Sequence, residues 1–220
     1  FISALSVYST LTGCSTQQPD PPQEIDISLS STNTEADTTI EFGSSITING
    51  SGATIDGNTI TITQGGTYSL SGTLSDGQLI VNAGDLDQVK LLLNGVNMTS
   101  STSAPIYIMN ADKTTLTLVE GTENIITDAT SYHYEDASID EPNAAIFSKD
   151  DLKIDGTGTL IVNANYNNGI ASKDDLSIKN GTITVNAVNN GIKGKDSIEI
   201  ENGTFIINSG GDAVKSDNTT

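Results

Sequence analysis

Three stretches of the chain align residue for residue: Ala145-Ile-Phe-Ser-Lys-Asp-Asp-Leu-Lys-Ile154, Gly169-Ile-Ala-Ser-Lys-Asp-Asp-Leu-Ser-Ile178 and Gly191-Ile-Lys-Gly-Lys-Asp-Ser-Ile-Glu-Ile200. A fourth copy begins at Ala213. The steps between the equivalent positions Ile146, Ile170, Ile192 and Val214 are 24, 22 and 22 residues. A near-constant period of this length is typical of proteins built from stacked repeats.

Within each copy, apolar and polar residues alternate at a period of two, which indicates β-strands rather than helices. Aligned copies then form apolar columns, namely Leu152/Leu176/Ile198, Ile154/Ile178/Ile200, Leu160/Ile183/Phe205 and Val162/Val185/Ile207. The sequence therefore predicts an all-β chain folded as a right-handed parallel β-helix, a solenoid with about 22 residues and three short strands in each coil. The alternative is an antiparallel β-sandwich, which also consists of many short strands.

Columns of identical polar residues support stacking of the copies. Asparagine forms one column and threonine another, at Asn163/Asn186/Asn208 and Thr159/Thr182/Thr204. The pairs Asn168-Gly169 and Asn190-Gly191 supply residues that tolerate a positive φ, so we expect them at corners between strands.

The charge of the chain limits its partners. It has 220 residues, 28 acids, nine lysines and no arginine, which leaves a net charge of −19. Nucleic acid and anionic membrane surfaces are therefore excluded as expected partners, whereas metal cations are favoured.

The N-terminal region has the pattern of an exported lipoprotein. A weakly apolar run over residues 1–14 ends in Leu11-Thr12-Gly13-Cys14, which resembles a bacterial lipobox, and a polar, proline-rich tether follows over 15–40. We expect a truncated signal segment, lipidation at Cys14, a location at the bacterial cell surface, and a folded domain over 41–220. A chance cysteine in a tail is the alternative. A single cysteine excludes an internal disulfide framework.

Stacking also aligns charges. Lysines form the column Lys149/Lys173/Lys195, and aspartates form the adjoining columns Asp150/Asp174/Asp196 and Asp151/Asp175. Like charges about 5 Å apart repel by roughly 3 kcal/mol at an effective dielectric of about 20, so the columns need a neutralising partner. The candidates are the adjacent lysine column and Ca²⁺, which prefers carboxylate and carbonyl oxygens.

A segment over 128–143 interrupts the repeat, and such insertions often carry the binding face of a solenoid. It combines aromatic and acidic side chains, which suit stacking on a pyranose ring and hydrogen bonding to its hydroxyls. The candidate sugar ligands here and on the lysine column are Tyr132, Tyr134, Glu135, Asp136, Lys149, Lys173 and Lys195. The alternative is a solvated acidic loop. The single histidine, His133, lacks a zinc-ligand spacing.

No nucleophile–histidine–acid arrangement, phosphate-binding loop or CxxC motif is found, and no pair of carboxylates stands out as a glycoside-hydrolase pair. The sequence therefore favours binding over catalysis.

Several segments together resemble one known family: Thr67-Tyr-Ser-Leu-Ser-Gly-Thr-Leu-Ser-Asp-Gly-Gln-Leu-Ile-Val-Asn82, Leu92-Leu-Asn-Gly-Val96, Ser103-Ala-Pro-Ile106, Glu141-Pro-Asn-Ala-Ala-Ile-Phe-Ser-Lys-Asp-Asp-Leu152 and Gly191-Ile-Lys-Gly-Lys-Asp196. The chain is similar over about 55–220 to a bacterial carbohydrate-binding-domain family described from a cellulose-degrading clostridium. The resemblance implies a polysaccharide-lyase-like β-helix with bound Ca²⁺ that binds cellulose or acidic sugars such as polygalacturonate.

We therefore expect a monomeric, cell-surface protein that binds plant cell-wall polysaccharide with the help of Ca²⁺. Two alternatives remain, a polysaccharide lyase on the same scaffold and a structural adhesin or spacer without catalysis. The lyases of similar fold usually use an arginine base, which this chain lacks, although a lysine could serve.

Overall fold

The computed structural model describes residues 36–134, 136 and 138–218, and every regular element in that part of the chain is a β-strand. None of the described residues belongs to a helix that is long and apolar enough to cross a membrane. The strands are β1 Thr38–Phe42, β2 Thr47–Asn49, β3 Ala53–Asp56, β4 Thr59–Ile62, β5 Gly66–Leu74, β6 Gln78–Asn82, β7 Gln88–Thr99, β8 Ile106–Asn110, β9 Lys113–Leu118, β10 Glu123–Thr127, β11 Ala144–Ser148, β12 Asp151–Gly156, β13 Thr159–Ala164, β14 Asn168–Ser172, β15 Asp175–Ile178, β16 Thr182–Ala187, β17 Ile192–Gly194, β18 Ser197–Ile200, β19 Thr204–Ser209 and β20 Val214–Ser216.

These strands form two sheets. The large sheet has 12 strands, nine of them in the order β18-β15-β12-β9-β7-β10-β13-β16-β19, with β1, β2 and β5 joined to it through the pairing of β5 with β7. The small sheet has eight strands in the order β20-β17-β14-β11-β8-β6-β4-β3. Most pairs are parallel, but β1–β2 and β3–β4 are antiparallel, so both sheets are mixed.

The predicted fold class is correct in being all-β and wrong in its architecture. A right-handed parallel β-helix with three short strands in each coil does not describe these sheets, which form a half-barrel and side-by-side sheets. The cause is β7, a strand of 12 residues that pairs with β5, β9 and β10 and so unites two rows of strands in one sheet. The regular spacing of the last three copies does not extend to this part of the chain.

The predicted register of the last copies is confirmed. Leu152 pairs with Leu176, and Leu176 pairs with Ile198. The asparagine column is also in register, and its amides form a chain in which Asn186 Nδ2 donates to Asn163 Oδ1 at 3.0 Å and Asn208 Nδ2 donates to Asn186 Oδ1 at 2.9 Å. Parallel stacking therefore gives each copy hydrogen-bond partners in its neighbours.

One continuous core lies between the inward faces of the strands. Along β13 the side chains of Leu160, Val162 and Ala164 are buried, whereas those between them are half-buried. This alternation follows from the pleat, and full burial of each Leu, Ile or Val side chain contributes about 1.5–3 kcal/mol to stability.

The Asn-Gly pairs have a different role from the predicted one. Neither Gly169 nor Gly191 has a positive φ, and within the described residues only other glycines do. A Cβ at Gly169 would overlap Val185 Cγ1 and the carbonyl oxygen of Gly191, so glycine is required here by close packing of successive copies. The preceding asparagines are buried, and Asn190 Nδ2 donates to Asn168 Oδ1 at 2.8 Å.

Candidate functional site

A cleft of about 700 Å³ lies on the outer face of the small sheet beside the segment 128–143. Its apolar lining comes from Ile80, Met109 and Ile139, and its aromatic lining from Tyr107 and Tyr134. Polar groups complete it, namely Gln78, Ser103, His133, Asp140, Glu141 and Lys149. Apolar and aromatic walls interspersed with polar groups suit an organic ligand that has both kinds of surface. We refer to it as the aromatic cleft.

Pairing of β8 with β11 positions the Tyr107 ring. Ile106 and Ile108 point into the core, so Tyr107 between them points outward, where it is paired with Phe147. The two rings meet edge to face, with centroids 5.8 Å apart. Phe147 is only 1% exposed although it lies on the outer face, and Tyr107 remains half-buried with the Lys149 Nζ 5.9 Å from its ring centroid.

The opposite wall is held by hydrogen bonds of the inserted segment. The Tyr134 hydroxyl donates to the carbonyl oxygen of Pro142 at 2.7 Å, and the His133 amide donates to the carbonyl oxygen of Thr102 at 2.9 Å. Burial raises the pKa of the Tyr134 phenol well above its ordinary value, so it remains a neutral donor at physiological pH.

Two of the predicted sugar ligands, Tyr134 and Lys149, line the aromatic cleft. Lys173 reaches its edge, because its ammonium group forms an ion pair with Glu141. That ion pair and its hydrogen bond raise the pKa of Lys173 above its ordinary value.

Tyr132 has a structural role instead. Its ring stacks on Tyr166 with centroids 4.2 Å apart, and its hydroxyl donates to the buried Asp128 at 2.7 Å. The stacking occupies one face of the ring, and Tyr132 is not part of the lining of the aromatic cleft.

Of the other predicted sugar ligands, the described residues Asp136 and Lys195 are not brought to the cleft. Asp136 is exposed and accepts hydrogen bonds from the amide and hydroxyl of Ser138, which lower the pKa of its carboxyl. Lys195 is exposed and is not part of the cleft lining, and Glu135 lies outside the described residues. Sequence reasoning missed Tyr107 and Met109; the outward position of Tyr107 between Ile106 and Ile108 was the available signal.

A second feature lies at the turn between the small and large sheets. Asp151, Asp174 and Asp175 each place one carboxylate oxygen within 4.8 Å of the others, and we refer to these three residues as the acidic corner. Partial burial and the neighbouring Asp151, Asp196 and Asp175, in that order, raise the pKa of Asp174 above its ordinary value. The other two predicted metal ligands, Asp150 and Asp196, are outside this group. Asp150 Oδ2 accepts a hydrogen bond from the Ala111 amide at 3.0 Å. Asp196 is a nearby charge that raises the pKa of Asp174.

The acidic corner is not neutralised by the lysine column that the sequence suggested. Lys149 lies over Tyr107, and Lys173 pairs with Glu141. The cation that contacts the corner is Lys113, whose Nζ is 3.0 Å from Asp151 Oδ2. Three carboxylates beside one ammonium group leave the acidic corner with a net negative charge. Its three carboxylate oxygens are of the type that Ca²⁺ prefers, and water or ligand oxygens would complete the coordination shell of such an ion.

Comparisons with known proteins agree with one another. A family model described as carbohydrate-binding domain-containing protein matches residues 56–220. A protein of Acetivibrio thermocellus with the same description is 46% identical over 136 residues, which are 62% of this chain and 48% of the relative, so the chain spans about half the length of that relative. A solved structure, described as the polysaccharide lyase-like protein from C. thermocellum in a gadolinium derivative, superposes with a TM-score of 0.82 at 42% identity and covers 84% of this chain and 75% of its own.

Proposed function

Because the chain belongs to the family of carbohydrate-binding domain-containing proteins, we propose that its aromatic cleft binds a plant cell-wall polysaccharide. The observation that carries the proposal is that Tyr107 and Tyr134 both line a cleft of about 700 Å³ together with several polar groups. The C–H face of a pyranose ring is apolar and packs on an aromatic ring, while its hydroxyls need donors and acceptors. The cleft offers both kinds of contact.

The charges of the cleft favour a sugar over other ligands. The carboxylates of Asp140 and Glu141 can accept hydrogen bonds from a ligand. The ammonium group of Lys149, which lies beside Tyr107, can donate them. A sugar hydroxyl can be both donor and acceptor, so it can interact with either sign of charge.

We propose that Ca²⁺ at the acidic corner extends binding to acidic sugars such as polygalacturonate. A chain of net charge −19 repels a polyanion, and a divalent cation shared by protein and ligand carboxylates removes that repulsion. Asp151, Asp174 and Asp175 would hold the ion. Lys173 connects the two features, because it precedes Asp174 and pairs with Glu141 at the edge of the aromatic cleft.

We propose that the domain binds without catalysis. The lyases of similar fold usually use an arginine as the base beside the acidic sugar, and the chain contains no arginine, so only a lysine could take that role. Appearance of unsaturated uronate products, followed by their ultraviolet absorbance during incubation with polygalacturonate, would contradict this part of the proposal.

The test is a pull-down on insoluble cellulose together with affinity electrophoresis in polygalacturonate, each with Ca²⁺ and with chelator. We expect Tyr107→Ala to weaken binding at least tenfold, because it removes the aromatic ring of the cleft. Phe205→Ala is the matched control, since Phe205 is a half-buried aromatic residue of β19 on the large sheet and is not part of the cleft lining. Absence of binding to either polysaccharide, or equal losses in the two variants, would overturn the proposal.

Attachment to the bacterial cell surface through a lipid on Cys14, and a monomeric state, remain part of the proposed function. Cys14 lies outside the described residues. Labelling of the expressed precursor with a fatty acid, compared with its Cys14→Ser variant, tests the attachment.

A further inference from the structure

A groove of about 330 Å³ lies on the outer face of the large sheet, where β9, β12, β15 and β18 are adjacent. It is separate from the aromatic cleft, which is on the small sheet. Six charged side chains line it: Lys113, Asp151, Lys153, Asp175, Lys179 and Glu199. They include three of the nine lysines of the chain, and the three positive and three negative charges cancel within a protein of net charge −19. We call it the charged groove.

Strand register places donors and acceptors side by side in this groove. Lys153 is paired with Ser177, and Ser177 with Glu199, so these three side chains form one column. In the adjacent column Lys113 is paired with Asp151, and Asp151 is followed by Asp175. The ion pairs are short: Lys113 Nζ lies 3.0 Å from Asp151 Oδ2 and Lys179 Nζ lies 2.7 Å from Glu199 Oε2.

Ser177 occupies the middle of this array. Its Oγ is buried, and no hydrogen-bond partner for it occurs among the described residues. A buried hydroxyl without a partner is unfavourable, and most buried polar atoms in proteins are paired. A ligand hydroxyl that enters between the flexible ends of Lys153, Lys179 and Glu199 would satisfy it.

We propose that the charged groove is a second polysaccharide site, which binds an uncharged, hydroxyl-rich glycan strand without a metal ion. Each sugar hydroxyl both donates and accepts, and therefore matches a surface that carries both ammonium and carboxylate groups. In the absence of Ca²⁺ a polyanionic strand matches it less well, because the three lysines of the groove only balance the carboxylates of Asp151, Asp175 and Glu199 and leave no excess positive charge. The inference rests on the proposed function in that the ligand is a polysaccharide. It adds the position of a second binding site and the condition that the glycan bound there is uncharged.

The test is isothermal titration calorimetry of the whole chain with cellohexaose in the presence of chelator. We expect wild-type binding, a loss of affinity of about fivefold in Ser177→Ala, and a similar loss in Lys179→Met. Ser177→Ala should keep or raise the thermal unfolding midpoint, because the buried hydroxyl it removes has no partner among the described residues. The matched control is Lys215→Met, a lysine of β20 on the small sheet, which leaves the affinity unchanged.

Three results would overturn the inference: no heat of binding with cellohexaose, unchanged affinity in Ser177→Ala, or tighter binding of trigalacturonate than of cellohexaose in chelator. Tyr107→Ala separates this inference from the proposed function. If glycan binding is lost in Tyr107→Ala but kept in Ser177→Ala and Lys179→Met, the charged groove is not a site while the aromatic cleft is one. If wild type binds no glycan in any condition, the proposed function fails as well.

Discussion

The hydroxyl of Tyr132 donates a 2.7 Å hydrogen bond to Oδ2 of Asp128, a carboxylate that is only 3% exposed. Asp128 also accepts from the backbone amide of Asn165, which lies on the next copy along the sheet. Tyr132 in turn stacks on Tyr166. The inserted segment forms one wall of the aromatic cleft. Its first residues are therefore held by hydrogen bonding and stacking against the turn that follows β13.

Removing the Tyr132 hydroxyl should loosen this attachment. We expect Tyr132→Phe to lower the free energy of unfolding by about 1–2 kcal/mol, because a buried carboxylate loses one of its donors. Urea denaturation measures the change, and Tyr107→Phe, a tyrosine that packs through its ring against Phe147, is the control. Equal stability of the two variants would show that the hydrogen bond contributes nothing.

Asp128 should also make stability depend on pH. Burial raises the pKa of its carboxyl above the ordinary value, against hydrogen bonds from Tyr132 and Asn165 that lower it. With a native pKa above the unfolded one, the native state binds the proton more tightly. The contribution of Asp128 to the free energy of unfolding is therefore complete at pH values below the pKa that its carboxyl has in the unfolded state. It is lost as the pH rises through the pKa of the carboxyl in the native state.

The measurement is urea denaturation of wild type and Asp128→Asn at a series of pH values from acid to neutral. We expect the stability of wild type relative to Asp128→Asn to fall as pH rises. A wild-type advantage that grows toward neutral pH would contradict the assignment.

Gly169 should not tolerate a side chain. A Cβ there overlaps Val185 Cγ1 and the Gly191 carbonyl oxygen, so we expect Gly169→Ala to lower the free energy of unfolding by about 3 kcal/mol. A Cβ at Gly43 meets its nearest atom at 3.7 Å, and Gly43→Ala should change stability by less than about 0.5 kcal/mol. Thermal and urea denaturation compare the two, and a tolerated Gly169→Ala would mean that the copies are packed less closely than described.

Asp174→Asn should have opposite effects with and without Ca²⁺. Without the ion it should leave stability unchanged or raised, because it relieves the crowding of carboxylates that raises the pKa of Asp174. In the presence of Ca²⁺, Asp174→Asn should weaken binding of the ion at least tenfold. It should therefore abolish most of the rise in the thermal unfolding midpoint that Ca²⁺ causes in wild type.

Asp150→Asn is the sharpest control for the acidic corner. Asp150 belongs to the same sequence column as Asp174, but its carboxylate accepts from the Ala111 amide instead of facing the corner. Calorimetric titration with Ca²⁺ should therefore give the wild-type affinity for Asp150→Asn. Equal losses in the two variants would place the ion elsewhere on the aspartate columns.

Much of the site could not be deduced from the sequence because it depends on contacts distant in the chain. Asp151, Asp174 and Asp175 were predicted as neighbours, since adjacent copies must align their turns. The stacking of Tyr132 on Tyr166 and the ion pair of Lys113 with Asp151 involve partners 34 and 38 residues away, at positions that no repeat equates.

For the last three copies, the amino-acid sequence by itself determined the strand positions, their register and the alignment of their aspartates and asparagines. It could do so because side chains in a strand alternate at a period of two and identical copies stack in register. Only the tertiary structure decided how the strands are divided between two sheets, which carboxylates meet at the acidic corner and which tyrosines remain available in the aromatic cleft. Those outcomes depend on β7, which pairs with three strands at once, and on the inserted segment that packs over the small sheet, and neither follows the period of the repeat.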